Sequence, residues 1–355
     1  MMESLDEVTS KLELVSKHGS ENQLFILLNS YKWQISDYDI KVQKIIASML
    51  TSKILLKKSP QQQLQIESLG SVQIESTPCP IKYKPSKSNQ AQVLPTTIQM
   101  PTKFDFDMKF DIKSTDNVYI TSMAVTDDNR LLLCNFSSTK LLVYSDRGEY
   151  LQDCTLSGEP MDIAIIPGED KAVVSLPIER SIQFVDIQSM KSGGTHSVPG
   201  VCDGGIAVVG DKICVGVGGK INILSKQGKT ITTITIPGRF INYLHPGPQD
   251  SVYYTNSYNN TVGCVRLSGE VRFTCTPENF NTPRAVTTDR GGNLYVACRN
   301  SNNINRLSAD GHVIDVILDN DNKISKPWGL AFSRNYRNFF VTNDEGMSVF
   351  IFSCS

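Results

Sequence analysis

The chain has 355 residues, 40% of them hydrophobic and 20% charged, and a formal net charge of −1. Near-neutral charge gives no pull toward nucleic acid or an anionic membrane, no apolar run reaches bilayer length, and the N-terminus lacks the basic-then-apolar form of a signal peptide. Nine cysteines, an odd number scattered singly, read as reduced and largely strand-buried thiols and point to a cytoplasmic protein.

Residues 1–57 read as an α-helical coiled-coil segment. Leu5, Val8, Leu12 and Val15 step by 3 and 4, the spacing of a coiled-coil seam. His18-Gly19-Ser20 breaks the register, and a second seam runs through Leu24, Leu28, Tyr31, Ile35, Tyr38, Val42, Ile45 and Met49. Such a seam offers a homodimer contact over residues 5–49. Residues 58–103 read as a connector: Pro60, Pro78, Pro80, Pro85, Pro95 and Pro101, with Gln61-Gln62-Gln63 and many serines, forbid a long helix.

Residues 104–355 repeat. Thr121–Leu151 aligns without a gap on Arg284–Ile314, an offset of 163 residues. Each copy opens with a short apolar strand around a usually small residue: Ala124, Ala164, Ala207, Tyr243, Thr287 and Ala331, spaced 40, 43, 36, 44 and 44. Units of four strands at this period predict an all-β, six-bladed β-propeller, in which each sheet buries its faces only against its neighbours. Small residues suit innermost strands because those strands converge on the axis. The last repeat stops after its third strand, near Met347–Phe352, and an unpaired sheet edge invites unwanted pairing. The strand Phe104–Ile112, with Phe104, Phe106, Met108, Phe110 and Ile112 on one face, is the expected closing piece.

The blade sequences carry a family resemblance. Pro283-Arg284-Ala285-Val286-Thr287, then Asp289-Arg290-Gly291-Gly292-Asn293-Leu294-Tyr295-Val296, Asn303-Ile304-Asn305-Arg306-Leu307 and Asp310-Gly311 resemble the NHL repeat, and Pro327-Trp328-Gly329-Leu330-Ala331 repeats its opening. Where that pattern often places an Asp after the second strand, this chain has Asn135, Asn256, Cys298 and Asn343. Coiled coil, connector and NHL propeller together are similar to the C-terminal half of tripartite-motif (TRIM-NHL) proteins. The resemblance implies the substrate-recruiting half of an E3 ubiquitin ligase. It also brings the RING and B-box zinc modules of that family, which need closely spaced Cys and His. This chain has no Cys-x-x-Cys and only four His. Ligase activity is therefore expected only if a zinc domain comes from elsewhere, and the chain reads as a truncated product or a RING-less relative.

Propeller topology brings the second-to-third and fourth-to-first loops to one rim, the ligand face that the resemblance implies. The expected rim residues are Phe136, Lys140, Arg180, Phe240, Tyr258, Arg284, Arg299, Asn302, Lys326 and Trp328. Basic groups interleaved with aromatics suit single-stranded RNA, with cations on phosphates and rings such as Phe240, Tyr258 and Trp328 on bases. Residues 104–355, however, hold 23 Lys+Arg against 27 Asp+Glu, a net of −4, which favours a protein partner over RNA. Calcium- or zinc-dependent hydrolases and lyases built on six blades need several converging Asp, Glu, Asn or His side chains. Asp162, Asn242, Asn256 and Asn343 fall near the axis without an adjacent Glu or His set, and Asp162 reads as a loop cap. No metal, cofactor or catalytic residue is expected.

Overall fold

The computed structural model describes residues 101, 103–113, 117–200, 202–236 and 240–355. The expected coiled coil at 1–57, and the connector apart from Pro101 and Lys103, lie outside the described residues.

Six four-stranded antiparallel sheets follow one another along the described chain. β1 (Phe104–Asp111) comes first and belongs to the last blade. Blade 1 is β2 (Ile120–Val125), β3 (Leu131–Asn135), β4 (Lys140–Tyr144) and β5 (Tyr150–Thr155). Blade 2 is β6 (Asp162–Ile165), β7 (Lys171–Leu176), β8 (Ser181–Asp186) and β9 (Lys191–Ser197). Blade 3 is β10 (Cys202–Val209), β11 (Lys212–Val217), β12 (Lys220–Ser225) and β13 (Thr230–Thr235). Blade 4 is β14 (Tyr243–Gly247), β15 (Ser251–Asn256), β16 (Thr261–Arg266) and β17 (Val271–Cys275). Blade 5 is β18 (Pro283–Thr288), β19 (Leu294–Cys298), β20 (Asn303–Leu307) and β21 (Val313–Leu318). Blade 6 is β22 (Leu330–Phe332), β23 (Asn338–Asn343) and β24 (Ser348–Cys354), with β1 as its outermost strand.

The burial gradient explains why the sequence repeats as it does. Second and third strands such as Leu131-Leu132-Leu133-Cys134 and Ile182-Gln183 are covered on both faces, and fourth strands such as Thr230–Thr235 are mostly exposed. A strand buried on both faces reads as a continuous apolar run, whereas a half-covered one alternates. The apolar side chains gather into six clusters, one between each pair of neighbouring blades, including the pair of blades 6 and 1 that closes the ring.

β1 closes the ring as expected, but with a correction to its predicted single buried face. Its pairing with β24 shifts by one residue between Phe106 and Met108. A one-residue bulge turns every later side chain to the opposite face. Phe104 therefore packs edge-on to Tyr295 and Phe339 toward blade 5, while Phe110 stacks on Tyr144 of blade 1 at 5.3 Å. Phe106, beside the bulge, is 55% exposed. Asp107, the unpaired residue, forms an ion pair with Arg147 at the β4–β5 turn of blade 1. That turn carries Gly148 at φ +80°, where a Cβ would lie within 2.5 Å of the Phe110 ring. The clasp also extends past β1, since Lys103 and Ser355 exchange backbone hydrogen bonds of 3.1 and 3.2 Å.

Candidate functional site

The rim carrying the β3–β4, β7–β8 and equivalent loops is built from the entrances of the innermost strands. Hydroxyls and amides pass from blade to blade there. Thr121 Oγ1 donates to the Met161 carbonyl at 2.7 Å, Thr255 Oγ1 to the Arg284 carbonyl at 2.8 Å, and the Ala285 amide to the Trp328 carbonyl at 3.1 Å. The loops above are pinned by asparagines. Asn135 Oδ1 accepts from the Tyr119 amide, Asn256 Oδ1 from Tyr258 and Asn259, Asn343 Oδ1 from Ser325, and Asn242 Oδ1 from Ser257. The asparagines that stand in for the repeat's Asp thus hold the rim loops in shape.

Below the rim lies a channel of about 470 Å³ lined by inner strands of all six blades. Tyr243 bars its upper end. Its hydroxyl donates to the Thr121 carbonyl of blade 1 at 2.7 Å and accepts from the Trp328 indole of blade 6. A tyrosine at a position otherwise held mostly by small residues reaches across the axis to the facing blade. Asp162 is not the expected loop cap. It is buried in the channel wall, where its carboxyl accepts from Ser122 Oγ at 2.6 Å and from the Ile163 and Ile206 amides at 2.9 Å, so it joins blades 1, 2 and 3. Burial pushes its pKa up to about 7, against the opposing pull of those donors. His245, on the same wall, lies 3.1 Å from Thr288 Oγ1, and burial lowers its pKa to about 4, which keeps the ring neutral. Among the described residues no group of three or more His, Cys, Asp or Glu side chains stands together as a metal site.

Around Trp328 the rim concentrates charge and aromatic surface. Trp328 is 3% exposed, so it is not the free stacking face expected of it. It is instead a platform: the Arg284 guanidinium lies 4.1 Å and that of Arg299 5.3 Å from its ring, and Tyr119 meets it edge-on at 4.9 Å. Arg299 and Lys326 both bind Glu345, at 2.5 and 2.7 Å, and the Lys326 hydrogen bond together with Arg299 holds the Glu345 carboxyl below its usual range. Asn302 Oδ1 accepts the Lys326 amide at 2.8 Å. Arg284, Arg299, Asn302, Lys326 and Trp328 are thereby brought together on blades 5 and 6.

The other expected residues form separate stations. Phe240 and Tyr258 pair on blade 4 with ring centres 6.0 Å apart, 43% and 76% exposed. Phe136 sits against Tyr119 at 6.4 Å. Lys140 opens β4 and faces Asp153 at 3.5 Å. Arg180 is exposed at a left-handed turn of blade 2, φ 50°. Tyr119 and Tyr243 were not among the expected residues. Tyr119 could have been found as the aromatic two positions before the strand entrance at Thr121, and Tyr243 as the one bulky side chain in the column of small ones.

The fold is similar to that of several solved structures. A streptogramin B lyase matches with a TM-score of 0.55 at 14% identity, over 72% of this chain and 99% of that one. The virginiamycin B lyase of Staphylococcus aureus matches at 0.54 and 12% identity, over 71% and 99%. A protein of unknown function from Bacteroides thetaiotaomicron matches at 0.58 and 14% identity, over 71% and 73%. No protein-family model and no curated protein matches the chain. At these identities the likeness is one of fold: a six-bladed β-propeller. Among the described residues no helix is long and apolar enough to cross a membrane.

Proposed function

We propose that the chain is a non-catalytic recognition module that holds a protein partner on the propeller rim. The observation that carries this reading is the exposed Phe240–Tyr258 pair. Two rings held together in solvent on an ordered rim resemble the aromatic anchors that dominate protein interfaces. Ile178 and Met347, 63% and 55% exposed, stand on the corresponding loops of blades 2 and 6 on the same rim. The NHL-like blade sequences support placing it as the recruiting half of a tripartite-motif ligase in the cytoplasm, dimerised through residues 5–49. In that arrangement ubiquitin transfer belongs to a zinc domain supplied from elsewhere.

Single-stranded RNA is the second reading, favoured by the same exposed rings and by Arg180 and Arg284. Against it, Lys326 and Arg299 are engaged by Glu345 and Lys140 by Asp153. A phosphate track needs free cations, and these are taken. The test is crosslinking with recovery of proteins and RNA from one sample. A protein partner is expected to survive nuclease treatment and to be released by the double change Phe240→Ala and Tyr258→Ala. RNA lost on nuclease treatment, with binding that falls steeply in salt, would decide for the second reading.

A further inference from the structure

The rim leaves one charge unmatched. The Arg284 side chain makes no ion pair and no hydrogen bond among the described residues, and its Nε is sealed from solvent without a partner. Stacking on Trp328 offsets part of the cost of burying a cation, but does not supply the hydrogen-bond acceptors that a guanidinium fork needs. Its Nη edge is the part left open, because the residue is only partly buried and its Nε alone is both enclosed and unbonded. Tyr119 stands beside it. The Tyr119 hydroxyl also bonds to nothing among the described residues, and the group lies close enough to Arg284 and Arg299 to feel both charges. The neighbouring Arg299 has its acid in Glu345, whereas Arg284 has none. Two donors of different kinds thus face one niche beside the barred end of the channel.

We propose that Arg284, Tyr119 and the Trp328 ring form a receptor for a carboxylate presented by an acidic peptide segment of a protein partner. A planar fork pairs two nitrogens with the two oxygens of one carboxylate, and the tyrosine hydroxyl supplies a third donor. Carboxylate fits better than phosphate here, because Glu345 lies close enough for its charge to act on Tyr119 and repels a doubly charged group more strongly than a singly charged one. This inference rests on the rim-recognition reading and adds the chemistry of the group that the rim takes.

The chain holds two tryptophans, Trp33 and Trp328, so a Trp33→Phe background makes intrinsic fluorescence a reporter of the niche. An oligoglutamate peptide capped at both ends is expected to give a saturable change in Trp328 emission, and an oligoglutamine peptide none. Arg284→Ala should weaken oligoglutamate binding by roughly tenfold or more, the loss of one or two charge-assisted hydrogen bonds. Arg284→Lys should weaken it less, since it keeps the charge and loses the fork, and Lys191→Ala, at the exposed start of β9, should leave it unchanged. Unaltered melting of each variant separates lost binding from lost folding. Absence of a saturable change in the parent, or binding that survives Arg284→Ala, would overturn the proposal. Preference for inorganic phosphate or oligouridylate over oligoglutamate would overturn it too, and would move the niche to the RNA reading. A crosslinked protein released by the Phe240/Tyr258 double change but retained by Arg284→Ala would overturn this inference alone. A partner retained by both would overturn rim recognition itself.

Discussion

Trp328 shows how a residue can be placed correctly and read wrongly. Its position at a strand entrance was legible from the repeat, but its direction was not, because strands converging on an axis can turn an entrance side chain inward. The indole nitrogen needed a partner once buried, and Tyr243 supplies it from across the ring. Tyr243→Phe removes that acceptor and the donor to the Thr121 carbonyl, leaving both groups enclosed and unpaired. A loss of about 1–3 kcal/mol is expected, readable as a lower urea midpoint; an unshifted midpoint would mean that water replaces the hydroxyl. Arg284→Met should do the opposite, holding or raising stability while removing the unmatched charge, because sites kept for binding are often not optimal for stability. A clear drop in melting temperature would instead assign Arg284 a structural role. Asp162 makes a third residue-level prediction. Its folded pKa of about 7 lies above the ordinary value of 3.8, so the folded protein holds a proton that the unfolded chain releases. That contribution is complete below about pH 4 and is lost as pH rises through about 7. The loss amounts to up to about 4 kcal/mol. Urea midpoints measured across this window should fall with rising pH, and Asp162→Asn should flatten the fall.

Among the elements, β1 has the most to explain, since it serves two blade interfaces with one strand. Its period-2 pattern was legible in Phe104, Phe106, Met108, Phe110 and Ile112, and so was its role as the closing piece. The bulge was not, because a single unpaired residue leaves no mark in composition; it is visible only against the register of β24. The physical reason for it lies in the two partners: Phe104 must cover blade 5 and Phe110 must cover blade 1. Phe110→Ala is therefore expected to cost about 1–3 kcal/mol, and Phe106→Ala less than about 1, although both look equivalent in sequence. Equal losses would place the bulge elsewhere. Deleting residues 104–112 should abolish cooperative unfolding and cause aggregation through the bare edge of β24, whereas deleting 1–100 should leave the transition nearly intact. Calorimetry on both truncations decides, and identical melting would show that β1 is not what closes the ring.

For the whole molecule, blade count, blade order and the closing strand were readable because stacking imposes the same demand on every repeat: an apolar strand pair, then a fading fourth strand. The rim was only half readable. Loop positions follow from topology, so the ten expected residues fall on rim loops or strand entrances, but which of them meet depends on side-chain reach. Arg284, Arg299, Lys326 and Trp328 converge through Glu345 and one indole, while Arg180 stands apart.

The distribution of sulfur gives the ring a set of built-in clocks. Cys134 lies in blade 1, Cys214 in blade 3, Cys264 in blade 4, Cys298 in blade 5 and Cys354 in blade 6, none in a disulfide. Burial pushes the thiols of Cys214, Cys298 and Cys354 up to about 12; the enclosed Cys214 and Cys298 stay unreactive until their own strands detach, and the half-buried Cys354 is slowed by its raised pKa. Slow alkylation under native conditions, read residue by residue in a mass spectrometer, therefore times the detachment of every blade except blade 2, which carries no cysteine. Cys354, whose strand partner is Phe104, should be modified ahead of Cys298 if the circle parts where its two chain ends meet. One shared rate for all five would mean that the circle comes apart only as a whole.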